Sequence, residues 1–145
     1  MQVNVRADEG GSEVSIDVRG REHGGEDYWD GNWLQTRVSV RAGAFRGAFD
    51  ASLRVEEFIR MWNGVRVCMT ALDGTFVFET MEEQLSIVAK GNGIGRFTAE
   101  CVAQDAAGVG NELTFEFSFD QIQLAPLATE LEKLIKTYPL VGKPR

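Results

Sequence analysis

Two stretches of this sequence gather side chains that could recognise a ligand. In Asp27-Tyr28-Trp29-Asp30-Gly31-Asn32-Trp33-Leu34, two tryptophans, a tyrosine and two acids fall within eight residues. Aromatic rings beside carboxylates suit sugars, cations or basic protein side chains. The same set would also serve as an aromatic plug over one end of the core, with Asp30-Gly31-Asn32 supplying the turn. The second stretch is the turn Thr80-Met81-Glu82-Glu83, inside a segment, 73–83, that holds four acids and no base.

Catalytic chemistry has little to work with. His23 is the one histidine, set beside Gly24 and Gly25 in a polar loop, which gives a proton shuttle no ordered setting. Cys68 and Cys101 lack a CxxC partner or a histidine-rich neighbourhood and read as small core residues. No G-x-S-x-G elbow and no D-x-D-x-D-G loop occurs. Asp27 and Asp30 form a carboxylate pair, but a retaining glycosidase needs two carboxyls about 5–5.5 Å apart, which sequence proximity does not establish. Gly91-Asn92-Gly93-Ile94-Gly95 lies between two alternating strands and is a hairpin turn, not a phosphate cradle. The expectation is a protein with no catalytic residue, metal or cofactor.

Charge narrows the partner. The net charge is −7, and it is unevenly spread: residues 31–72 carry six bases against three acids, whereas residues 1–30 carry eight acids against three bases. An acidic protein repels phosphate backbones and steers a basic protein toward itself, so nucleic acid is disfavoured and a basic protein partner is favoured. No apolar run approaches about 18 residues, so no membrane span or leader is written here and a cytoplasmic location is expected.

The elements that must position these residues follow from periodicity. Val3 and Val5, then Val14, Ile16 and Val18, alternate about Asp8-Glu9-Gly10-Gly11 as a hairpin. Leu34 to Val40 and Phe45 to Leu53 keep a two-residue period on either side of Ala42-Gly43 and should pair antiparallel. At Arg54 the period changes to three or four through Phe58, Trp62, Val65, Met69 and Leu72, a helix that Gly64 is expected to break. Strands return through Phe76–Phe78, Leu85–Ala89, Phe97–Ala103 and Leu113–Phe119. A last helix carries Leu124, Leu127, Leu131, Leu134 and Tyr138, is expected to cover the Phe115, Phe117, Phe119 row, and stops at Pro139. The tail from Val141 to Arg145 is expected to lie loose. The fold class is therefore α+β: a largely antiparallel, twisted sheet of about eight short strands with two helices on its apolar face. One domain is expected over 1–145, with an N-terminal hairpin and loop in 1–26.

The run DYWDGNWL at 27–34, the LRVEEF that begins at Leu53, and GVGNELTFEFSFDQIQL from Gly108 to Leu124, with the closing leucine helix, resemble the WapI family of bacterial immunity proteins over roughly residues 27–139. The resemblance implies binding and neutralisation of a cognate toxin, an RNA-cleaving nuclease, without turnover. Tyr28, Trp29, Asp30, Gly31, Asn32, Trp33 and Leu34 are its signature. Asp27, Asp30, Glu82 and Glu83 are the acids expected to meet a basic toxin. The alternative is a binding domain for another ligand or protein.

Overall fold

The computed structural model describes residues 1–144; Arg145 lies outside them. Eight strands form two antiparallel sheets of four rather than one continuous sheet. The first holds β1 (Gln2–Arg6), β2 (Glu13–Arg21), β3 (Trp33–Ala42) and β4 (Phe45–Arg54), hydrogen-bonded in chain order. The second holds β5 (Thr75–Glu79), β6 (Leu85–Gly91), β7 (Arg96–Gln104) and β8 (Glu112–Asp120), again in chain order. Each is a meander, which short local turns can close without crossovers. A one-turn helix, α1 (Tyr28–Gly31), precedes β3, α2 (Val55–Thr70) joins the sheets, and α3 (Leu124–Thr137) follows the second sheet.

Alternation decides the faces. Val14, Ile16, Val18, Leu34, Val38, Phe49 and Leu53 point inward from the first sheet, and Phe76, Phe78, Leu85, Ile87, Phe97 and Phe119 from the second, into one continuous core. Burying each such side chain stabilises by about 1.5–3 kcal/mol relative to exposure. The Phe97 and Phe119 rings stack at 5.6 Å. Strand β8 approaches β3, while α3 packs on α2 and β1, and Phe117 and Phe119 share one core with the leucines of α3.

Helix α2 runs unbroken through Gly64, contrary to the expected break. A Cβ at that position would stand 2.8 Å from Cβ of Phe76. The glycine is there to let the helix lie close on β5. Its propensity cost is about 1 kcal/mol and is outweighed by packing. The tail also differs from expectation, because Val141 is held by Asn32 through two hydrogen bonds. At the other terminus, the β1–β2 turn is fastened to the second sheet by Asp8. Its carboxylate accepts from the Asp120 amide at 3.1 Å and pairs with Arg96.

Candidate functional site: an acidic rim around Trp29 and Met81

The aromatic segment folds around a cation. Asp27 caps α1, its Oδ2 accepting from the amides of Trp29 at 3.1 Å and Asp30 at 3.0 Å. A one-turn helix leaves carbonyls without intrahelical partners. Arg54 fills two of these vacancies, Nη1 donating to Trp29 O at 2.7 Å and Nη2 to Tyr28 O at 2.9 Å. Its Nε pairs with Glu56. Three rings surround the guanidinium: Trp33 at 4.8 Å, Tyr28 and Trp29 each at 5.3 Å. Arg54 is fully buried although it is charged.

The remaining signature residues serve the same assembly. Asn32 is buried; its Nδ2 donates to Tyr28 O and Val141 O, and its Oδ1 accepts from the Val141 amide. Gly31 lies under Val141, where a Cβ would come within 2.7 Å of a valine methyl. Leu34 is a core residue of β3. The motif is thus an aromatic plug whose centre is Arg54. The alternation of β4 pointed residue 54 at solvent, so it was missed. The available signal was an arginine at the junction of β4 and α2 in a chain with three clustered aromatics.

Three residues beyond Arg54, Glu57 connects the plug to the acidic turn. Its Oε1 accepts from the Arg54 amide at 2.7 Å and its Oε2 from the Met81 amide at 2.6 Å. Burial pushes its carboxyl above the ordinary carboxylate range, against the pull of those two donors. The structure therefore brings together the two stretches singled out in the sequence. Tyr28, Trp29, Glu56, Glu57, Glu79 and Met81 line a shallow recess of about 360 Å3 between them, with Arg60 and Thr80 at its side.

Trp29 is 49% exposed and Met81 56% exposed. One oxygen of Glu56, Oε2, is buried there with no hydrogen-bond partner. Asp30, Glu82 and Glu83 are exposed around the recess segments. Glu83 holds a left-handed backbone at φ 58°, which costs a non-glycine residue about 1–2 kcal/mol. Asp27 is exposed too, but its carboxylate is occupied as the cap.

Acidity continues from Glu79 onto the outer face of the second sheet. Glu100 and Glu116 are direct cross-strand partners there, with half-buried Val77 and Val88 beside them in the pairing. Like charges opposed in this way are destabilising.

Burial raises the Cys68 thiol and pushes Cys101 up to about 12, so neither is an activated nucleophile. His23 is exposed in the loop before α1. Among the described residues no group of three His, Cys, Asp or Glu converges as a metal site would require, and no helix is long and apolar enough to cross a membrane.

Two four-stranded antiparallel meanders joined by a helix, with an arginine-centred plug at one end, define an α+β protein. The arrangement is similar to the crystal structure of Trypanosoma bruciei MRP1/MRP2, with a TM-score of 0.52 at 12% sequence identity over 95% of this chain and 86% of that one, a likeness of fold alone. No curated protein matches the chain closely in sequence. The model of the immunity protein WapI-like family matches residues 5–139, and the chain belongs to that family. The match begins within β1 and so takes in the hairpin that the sequence motifs had left outside it.

Proposed function

We propose that this chain neutralises a toxin by binding it, and that the recess between Trp29 and Met81, with its acidic rim, receives a basic side of the toxin. Family membership supports a toxin partner. The observation that carries the location is the unpaired Glu56 Oε2 in a recess that the exposed Trp29 and Met81 also line. A buried acceptor without a donor costs about 1–3 kcal/mol. An incoming lysine or arginine would satisfy it while stacking on Trp29, and would leave a compact apolar contact ringed by acids. Asp30, Glu82, Glu83 and Glu79 would supply long-range steering. Neutralisation of this kind needs no turnover, and its partner is a basic protein, an RNA-cleaving nuclease being the leading candidate.

The test uses the full chain as bait in lysate of its own organism, washed at low and high salt. The captured protein is then expressed in a naive host with and without this chain. Growth arrest relieved by the wild-type chain, and not by a Met81→Asp variant that remains folded, supports the reading. A captured protein that is harmless, or whose toxicity the variant still relieves, overturns it. If the reading fails, a small-molecule ligand becomes the better account.

A further inference from the structure

A second concavity, which shares no lining residue with this site, lies on the solvent face of the first sheet. It is a hollow of about 600 Å3 lined by Arg6, Arg41 and Arg46, with Gly11, Ser12, Ser39, Gly47 and Ala48 among its other lining residues. The register makes Arg41 and Arg46 direct cross-strand partners in the β3–β4 pair. Side chains so paired have Cβ atoms about 4.5–5.5 Å apart, and like charges there are destabilising. The neighbouring acid does not relieve them: Glu13, across from Arg41 in β2, is engaged by Arg6. Other arginines of the same face are neutralised, Arg37 by Asp50 and Arg19 by Asp17. Among the described residues, neither Arg41 nor Arg46 has a carboxylate within 4.0 Å.

We infer that this hollow binds a phosphate-bearing anion between Arg41 and Arg46. Two guanidinium groups side by side offer forked donors that match phosphate oxygens bidentately. The small residues around them leave room, and the volume falls in the range of small-ligand sites. An anion there would remove the repulsion that the two arginines exert on each other. The shared chemistry is a run of at least two phosphates, from either a free nucleotide or the backbone of a nucleic acid. This surface shares no lining residue with the recess between Trp29 and Met81.

The experiment titrates the full chain with three probes: inorganic pyrophosphate, a nucleoside triphosphate, and a fluorescein-labelled single-stranded oligonucleotide, each at two salt concentrations. We expect at least one to bind with Kd below about 1 mM and to weaken with salt. Arg41→Gln and Arg46→Gln should each lower affinity about tenfold or more, and Arg37→Gln should not. Pyrophosphate or nucleotide binding identifies a small ligand, whereas oligonucleotide binding alone identifies a polymer. Unfolding curves verify that each variant is folded. Binding of none of the probes, or binding that survives both substitutions, overturns the inference.

Discussion

The Arg54 guanidinium carbon stands 4.8 Å from the ring of Trp33, the residue directly opposite it in the β3–β4 register. That pair joins the end of the first sheet to α1, because the same guanidinium donates to the Trp29 and Tyr28 carbonyls. Arg54→Ala should therefore cost about 3–5 kcal/mol, the range for removing one member of a buried ion pair. Arg54→Lys keeps the charge but loses the fork, and should recover only part of that loss. Urea unfolding followed by tryptophan fluorescence measures both. A lysine variant as stable as wild type would show that charge alone suffices.

Gly64 permits a prediction whose sign differs from helix propensity. Glycine to alanine in an exposed helix interior should stabilise by about 1 kcal/mol. Here the added methyl would meet Phe76, with Cβ at 2.8 Å from Cβ and 3.1 Å from Cα, so backbone has to move. Gly64→Ala should destabilise by about 1–3 kcal/mol, as overpacking does. An unchanged or raised denaturation midpoint would mean that α2 can lift off β5 at no cost.

These two residues also mark what could be read in the chain. Alternation identified most of the inward rows of the sheets, from Val14 to Phe119, because each sheet has one wet face, but it also set Phe45 in the row of Phe49 and Leu53, where the start of β4 is exposed. The period change at Arg54 placed the start of α2 correctly. Periodicity says which residues share a face, however, and not which strands pair, so the division into two sheets was not legible. Nor was the burial of Arg54. It depends on α1 covering the end of β4, and α1 depends on Asn32 gripping Val141, 109 residues away. Gly64 appeared to break the helix for the same reason: its justification is a contact with β5. The acids Asp27, Asp30, Glu82 and Glu83 were named from density of charge, which could not reveal that Asp27 is committed to a cap.

Two carboxyls should give opposite pH signatures. Glu57 is raised by burial above its ordinary value of 4.5, so between that value and the folded one the folded chain keeps a proton that the unfolded chain releases. Its contribution is fully present below pH 4.5 and is lost as pH rises through the folded value. Asp8 is lowered from 3.8, chiefly by the Asp120 amide and further by Arg96 and Gln123. Its contribution is present above pH 3.8 and is lost as pH falls through the folded value. Stability should be measured from pH 3 to 8 for Glu57→Gln and Asp8→Asn. The first variant should lack a decline on the neutral side of about pH 4.5 that wild type shows, and the second a decline on the acid side. Parallel curves for wild type and either variant would remove that residue from the account.

The acidic rim can be divided by role. Lysine at Asp27 removes the acceptor of two helix amides and should cost about 1 kcal/mol of stability, whatever it does to binding. Asp30 and Glu82 are exposed and outside any ion pair among the described residues, so Asp30→Lys and Glu82→Lys should stay within about 0.5 kcal/mol of wild type. Glu83→Gly should gain about 0.5–1 kcal/mol by relieving the left-handed backbone, offset in part by glycine's entropy in the unfolded chain. If the rim steers a basic toxin, the Asp30→Lys, Glu82→Lys double variant will slow association, and added salt will narrow its gap from wild type. Dissociation should change less, because it is governed by the contact at Trp29 and Met81. Stopped-flow mixing with the captured toxin separates the two rates. An association rate that matches wild type at low salt would remove these acids from the toxin-binding surface and leave the strained Glu83 without an explanation.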